Sequence, residues 1–517
     1  MPLVKRALFS VTDKTGVVEL AHRLSDLGAE IISTGGTASA LKQAEITVKE
    51  VSALTGFPEI LDGRVKTLHP KVFGGLLGLP NKPEHVNAME THGIEPFDLI
   101  AVNLYPFEKV IEGKSMDDDE LIEYVDIGGV ALLRAAAKNY KNVLVLCDPK
   151  DYGIVLEEMQ SPLGVSTELR HKLAVKAFLH TAHYDSVIAT HLKTRWNLED
   201  KFPEETTIGL RKLRGLRYGE NPHQEAALYR ESGGPAWGVV SANVLQGKEI
   251  SFNNYLDCEA AWQVACSFSD PVAAIIKHNN PCGVASGKTP AEAYRWALMC
   301  DPVSAFGGIV GFNRAVDRET AEELKKLFLE CVIAPSFHPE ALEILKEKKN
   351  LRLLEQPTLL QAPYELDVRR ISGGYLLQDV DRSPVLDLKV VSKRPPTELE
   401  KASLDFAWRV GKHVKSNAII FARGRQTVGI GAGQMSRIDS IKIASIKMKN
   451  AKLDLGESLV MASDGFFPFR DVVDEAAKYG VTAIVQPGGS IRDNESIQAA
   501  DEHNMAMILT GVRHFKH

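Results

Sequence analysis

Short unbroken apolar runs alternate with amphipathic stretches along the first ~150 residues, the pattern of a parallel sheet covered by helices. Ala7-Leu8-Phe9-Ser10-Val11 reads as a buried strand, and Val17 to Leu27 as a helix closed by Gly28. Glu30 to Ser33, Leu99 to Val102 and Val143 to Leu146 are predicted as further strands of the same layer. From Gly153 to about Arg195 the pattern is helical. Asn197 to Glu205, polar, charged and interrupted by Pro203, reads as a domain junction. Beyond it, Val272 to Ile276 is an apolar strand that ends abruptly in Lys277-His278-Asn279-Asn280-Pro281, and Ala418 to Ala422 is its counterpart. Gly-rich segments after apolar strands, Ser304 to Gly308 and Pro487 to Ser490, hint at a diverged internal duplication. The expected fold class is α/β, with one domain over 1–199 and a second over 200–517 made of two halves divided near 370–395.

Composition narrows the function. A chain of 517 residues has room for two to four domains. A net charge of −6 argues against a nucleic-acid partner but leaves room for a local basic pocket. The six cysteines are scattered without a C-x-x-C pair, the usage of a reduced compartment. No apolar run approaches the roughly 18–20 residues of a membrane span, and the start lacks a signal-peptide core. The expected location is the cytoplasm, with no membrane partner. A metal site is not expected. Pro281-Cys282-Gly283-Val284 lacks the second cysteine of the deaminase P-C-x-x-C element, and His180 and His183 lack H-E-x-x-H context.

The densest chemistry lies in Asp62-Gly63-Arg64-Val65-Lys66-Thr67-Leu68-His69-Pro70. Two cations, a hydroxyl and an imidazole sit between a Gly and a Pro, so a constrained turn can aim several donors at one small anion. Ser10 to Gly16, with Lys14 and Thr15, follows a strand and opens a helix. Ser33-Thr34-Gly35-Gly36-Thr37 repeats the arrangement. Taken singly, either is ordinary Ser/Thr capping. Two in succession, in the layer that also carries Arg64 and Lys66, point to a phosphorylated ligand at the strand ends. Asp126-Ile127-Gly128-Gly129 opens an Ala/Leu-rich helix that ends near Lys138. Asp126 can cap that helix, the dipole alone favours a cation at Lys138, and Tyr105 fits a core position as well as a site.

In the second part, Lys277 and His278 pair an ammonium with the side chain best suited to take a proton near neutral pH. Arg217 to His223 supplies a guanidinium, a phenol and an imidazole around a turn. Phe466, Phe467 and Phe469 are either core residues or a wall for a flat heteroaromatic ligand.

These strings, in this order from Ser10 to His517, resemble the bifunctional purine-biosynthesis family that joins AICAR transformylase to IMP cyclohydrolase. The resemblance implies a methylglyoxal-synthase-like open parallel-sheet domain and a transformylase of two cytidine-deaminase-like halves without catalytic zinc. It implies a homodimer with transformylase sites at the subunit interface. Its reactions are formyl transfer from the co-substrate 10-formyltetrahydrofolate to AICAR, then dehydrative closure of FAICAR to IMP.

By this resemblance Lys138 is the proton donor/acceptor of ring closure, with Asp126 and Tyr105 as partners and Lys66 in an electrostatic role. Ser10, Lys14, Thr15, Ser33, Thr34, Gly35, Gly36, Thr37, Arg64, Val65, Thr67, Asn103, Ile127 and Gly128 hold its ribotide. For formyl transfer, His278 takes the proton and Lys277 stabilises the oxyanion. Arg217, Tyr218, Gly307, Glu330, Asn417, Arg437, Phe466 and Arg513 bind AICAR, and Ile438, Asp471, Ser490 and Ile491 the folate. A monovalent cation near Ser416 and Asp464 also follows from the resemblance, although the tail His514-Phe515-Lys516-His517 departs from the family pattern and leaves its ligands open. Bound zinc would instead mark a nucleoside deaminase, and ligand binding without turnover a nucleotide-sensing module.

Overall fold

A computed structural model describes residues 4–113, 116–198, 200–233, 237–357, 366–382, 388–451 and 458–517. Two compact units emerge: Met1–Arg211 with Arg230–Pro235, and Lys212–Tyr229 with Ala236–His517. The chain passes between them more than once, because β6 (Leu210–Leu216) and β7 (Ala226–Glu231) pair as a two-stranded ribbon. Glu199 of the expected junction, and 383–387 of the expected division between halves, lie outside the described residues.

The first unit is an all-parallel five-stranded sheet of β1 (Arg6–Ser10), β2 (Glu30–Ser33), β3 (Val48–Glu50), β4 (Leu99–Val102) and β5 (Leu144–Leu146), in the order β3-β2-β1-β4-β5. Ala7, Leu8 and Phe9 are fully buried, so β1 reads as a continuous apolar run without alternation, as a strand covered on both faces should. The helix Val17–Asp26 buries Val17, Leu20, Ala21 and Leu24, one stripe at helical spacing, and Gly28 just beyond it has φ 89. The strand order reverses between β1 and β4, so the loops after these strands flank a crevice at the C-terminal edge.

The second unit is built on a twelve-stranded sheet whose order carries the duplication. β10 (Asn280–Ser286) and β18 (Gln426–Gly431) pair antiparallel at the centre. Outward from β10 run β9 (Val272–Lys277), β11 (Ile309–Phe312), β12 (Cys331–Ala334), β13 (Arg352–Glu355) and β8 (Asn243–Gln246). Outward from β18 run β17 (Ile419–Arg423), β19 (Leu459–Ser463), β20 (Val481–Gln486), β21 (Ala506–Leu509) and β16 (Lys389–Val390). Each side has an antiparallel hairpin, a third antiparallel strand, two further strands parallel to that third, and a short antiparallel edge. β14 (Leu366–Ile371) and β15 (Gly374–Asp379) form a separate hairpin. One edge of the large sheet therefore collects the ends of β9, β18, β19, β20 and β21 together with the starts of β10, β11, β12 and β17.

A buried ion pair anchors the second half. Thr397 and Glu400 form a reciprocal capping box at the helix Glu398–Gly411, and Arg394 grips both Glu400 oxygens at 2.9 Å. Burial raises the Glu400 carboxyl, but the Arg394 fork, the Thr482 hydroxyl and the Thr397 N–H outweigh it and bring it down to about 2. A depressed carboxyl contributes stability above its ordinary value of 4.5, which is lost as pH falls towards 2. Glu400→Gln should therefore cost on the order of 3 kcal/mol at pH 7. In denaturant titrations, the gap from the parent should close as the pH is lowered through that window.

Candidate functional site

In the first unit, the Asp62–Pro70 segment is a left-handed turn. Leu61, Asp62 and Gly63 have φ 55, 52 and 89, and Ile60 and Val65 bridge across them. A Cβ on Gly63 would lie 2.7 Å from both Glu59 Oε1 and Lys66 Cε, so glycine is what lets Lys66 fold back against Glu59, at 3.0 Å. Lys66 Nζ stands 3.8 Å from the point where a Cβ on Gly35 would be, and Lys14 Nζ 3.9 Å from the same point on Gly36. Two ammonium groups thus converge on the start of the helix Gly35–Gln43, where Thr34 makes no side-chain cap. Free N–H groups, the positive dipole end and two cations together make an anion site.

Several expected ligand groups prove to be scaffold as well. The Ser33 hydroxyl donates to Phe9 O at 2.8 Å, while Thr37 Oγ1 donates to Val11 O at 2.9 Å and accepts from Val11 N at 3.1 Å. Asn103 Oδ1 accepts from the N–H groups of Thr12 and Asp13, and its Nδ2 donates to Asp13 O, so the β1 and β4 loops are tied together across the crevice. Ser10 is half-buried at the end of β1, and Lys14 and Thr15 are exposed beyond it. His69 Nδ1 accepts from Lys71 N and Pro70 begins the helix Pro70–Leu77, so this pair ends the turn by capping.

The helix Gly128–Lys138 brings its first residues to the same edge. Buried Thr67 has its hydroxyl 3.2 Å from the Cβ position of Gly128. Asp126 Oδ1 accepts from Gly129 N at 2.7 Å, the capping bond expected of it, and Tyr184 OH accepts from Asp126 N at 2.9 Å. Burial raises the Asp126 carboxyl, against the opposing Gly129 and Tyr105 backbone N–H groups. Tyr105 is 45% exposed and is not a core residue. Ile127 is exposed, Val65 half-buried, and exposed Arg64 is paired with Glu123. Lys138 stands apart. It occupies the last position of an 11-residue helix, about 15 Å along the axis from Gly128, and is exposed there.

In the second unit, Lys277 and Asn280 pair across a two-residue hairpin whose tip is His278 (φ 52) and Asn279 (φ 61). Such a turn needs positive φ at both loop residues, a backbone that Asn and His enter more readily than most side chains do. Asp257, on the helix Phe252–Cys266, holds the tip by accepting from Asn279 N at 2.6 Å. Burial raises the Asp257 carboxyl, and the backbone bonds from Asn279 and His278 oppose the shift. Lys277 Nζ donates to Phe306 O beside Gly307, whose φ is 69. The His278 ring is left exposed at the sheet edge.

Around that edge, Asn417 Nδ2 donates to Gln434 O at 2.9 Å, and Glu330 pairs with Arg352 at 2.5 Å. Arg437 donates through Nε to Ser463 Oγ at 3.1 Å and through Nη2 to Asp464 Oδ1 at 3.3 Å. Phe467 belongs to the core, Phe466 is half-buried, and exposed Phe469 lies under Arg492. Half-buried Ile438 packs on the same core, Asp471 opens the helix Asp471–Ala477, and Ser490 Oγ accepts from Arg492 N beside fully exposed Ile491. Arg513 follows β21 to this edge, whereas Arg217 and Tyr218 stack on one another at the end of β6. Asp257 and Glu59 were not anticipated from the sequence. Each acts through a chain-distant or backbone-dependent contact that leaves no local signature. Among the described residues, no three His, Cys, Asp or Glu side chains gather as a metal-binding group, and no helix is long and apolar enough to cross a membrane.

Residues 136–447 match the family described as AICARFT/IMPCHase bienzyme, and residues 16–131 match the MGS-like domain. Over 517 residues, the chain is 54% identical to the bifunctional purine biosynthesis protein PurH of Persephonella marina, covering 99% of this chain and 100% of that one. The crystal structure of ForH aligns at 37% identity with a TM-score of 0.33, covering 36% of this chain and 95% of its own.

Proposed function

The chain belongs to the AICARFT/IMPCHase bienzyme family, and from that premise we propose how its residues divide the two reactions. It is a bifunctional enzyme that transfers a formyl group from 10-formyltetrahydrofolate to AICAR and closes the product FAICAR to IMP.

Formyl transfer belongs to the large sheet's edge. The AICAR 5-amino nitrogen is conjugated with its ring and is a weak nucleophile, so it must lose a proton as it attacks the formyl carbon. His278 takes that proton, Lys277 stabilises the oxyanion of the tetrahedral adduct, and collapse expels the folate N10, to which the proton passes. Asn417, Arg437, Arg513, Phe466, Glu330 and Gly307, with Arg217 and Tyr218, hold AICAR. Ile438, Asp471, Ser490 and Ile491 hold the folate.

Ring closure belongs to the five-stranded sheet. The carboxamide nitrogen adds to the formyl carbon, and the resulting carbinolamine loses its hydroxyl as water. Holding both groups on one ligand in register supplies much of the rate, roughly 7–11 kcal/mol in the best cases. Lys14 with Gly35 and Gly36 grips the phosphate, and Lys66 meets the developing oxyanion. Asp126, the carboxyl that burial raises, exchanges protons beside Tyr105. On this geometry, the proton role of Lys138 requires a relay along the helix, whereas Lys66 faces the ligand directly. The observation that supports the reading most is the convergence of Lys14 and Lys66 on Gly35-Gly36.

Separate assays test the division: tetrahydrofolate release from AICAR plus formyl-folate, and IMP formation from FAICAR alone. Loss of both activities in a folded variant of either site would sink the two-site assignment. Gly63→Ala is a sensitive case, because its Cβ would displace Lys66 and Glu59. IMP formation should fall at least tenfold, while formyl transfer stays at the parent level. The proposal extends to a cytoplasmic homodimer, checked by light scattering. The Asp464 carboxylate and Ser416 hydroxyl meet at 2.5 Å and are the oxygen donors an alkali cation takes, so these residues suit the monovalent cation, although no chemical step runs through it.

A further inference from the structure

Residues 513–517 run along the formyl-transfer edge with alternating faces. His514 N donates to Asp464 O at 3.0 Å, and its buried ring meets Asp381 at 2.6 Å. Lys516 N donates to Ser416 Oγ at 3.2 Å, and Lys516 O accepts from Ser416 N at 2.9 Å. With these two residues turned inward, Phe515 between them is directed outward, as successive residues of an extended segment must be. Its ring, 40% exposed, lies 5.8 Å from the Arg437 guanidinium and 4.8 Å from that of Arg513. The packing is close. A Cβ on Gly465 would fall 2.1 Å from Arg437 Nη2 and 2.5 Å from the Phe515 ring.

The two arginines depend on that ring to different degrees. Arg437 is pinned at Nε and Nη2 by Ser463 and Asp464, which leaves Nη1 to face a ligand. The Arg513 guanidinium lies over the Phe515 ring, and that ring sets its direction. Two guanidiniums held close repel each other, and the negative face of one aromatic ring offsets that repulsion at both. We propose that Phe515 is a positioning residue for formyl transfer, one that holds Arg437 and Arg513 as a preset pair for the anionic ribotide. The inference rests on the reading that these two arginines bind AICAR.

The test is steady-state formyl transfer by Phe515→Leu and Phe515→Tyr in the full chain, with FAICAR closure as the folding control in the same molecule. Leucine keeps apolar bulk without a π face, so the AICAR KM should rise about tenfold with kcat little changed. Tyrosine should restore the parent KM, and closure should be normal in both. An unchanged KM in Phe515→Leu, or a fall in kcat alone, would overturn the proposal. Arg437→Gln and Arg513→Gln separate the two layers of the argument. If neither raises the AICAR KM, the ribotide assignment fails. If they raise it and Phe515→Leu does not, the positioning role alone fails.

Discussion

His278→Ala should reduce the kcat of formyl transfer by about 10²–10⁴, the range a positioned general base contributes, and leave FAICAR closure untouched. The expectation follows from where the ring sits. His278 is the first residue of a two-residue hairpin tip, in left-handed backbone, on the sheet edge that also carries Lys277, Asn417 and Arg437. A left-handed L-residue costs of order 1–3 kcal/mol and persists only where its surroundings impose it. Here the β9–β10 pairing and the Asp257 carboxylate impose it. Because Ala is also disfavoured at positive φ, His278→Asn is the cleaner variant, since Asn tolerates that backbone. A folded His278→Asn enzyme with near-parent formyl transfer would remove His278 from the chemistry.

Lys66→Ala should lower IMP formation from FAICAR by about 10²–10³, as loss of an oxyanion-stabilising group does, with formyl transfer retained. Lys66 is held by the Gly63 turn and Glu59 with its ammonium at the Gly35 helix start, whereas Lys138 is carried to the far end of the helix Gly128–Lys138. Comparing the two alanine variants decides between direct and relayed action. If Lys138→Ala is the more damaging and Lys66→Ala is mild, the electrostatic role of Lys66 fails and a relay to Lys138 must carry the proton. Measuring FAICAR affinity alongside turnover separates lost binding from lost chemistry.

Much of this molecule was legible in its local sequence. The runs at 30–33 and 99–102 are strands at those very residues, because the apolar cores Ile31-Ile32 and Leu99 to Val102, set between turns, suit a strand buried on both faces. Gly28 lies just past the end of a helix, as expected, since capping depends on neighbours within a turn. The resemblance likewise rests on contiguous strings, and family membership followed from them.

Sequence alone could not settle contacts that depend on strand order and register. Tyr105 was equally a core ring or a site residue until the sheet left it at an exposed edge. Lys14 and Lys66 are 52 residues apart, and their convergence needs β1, β2 and the Gly63 turn all in place. The central β10–β18 pairing joins residues separated by more than a hundred positions, and it sets half of the proposed formyl-transfer edge beside the other half. Elements, several of their caps and the chemical inventory are readable from local sequence, because these follow from short-range sterics and periodicity. The tertiary structure decided which members of that inventory meet, because only sheet topology brings distant strand ends to one edge.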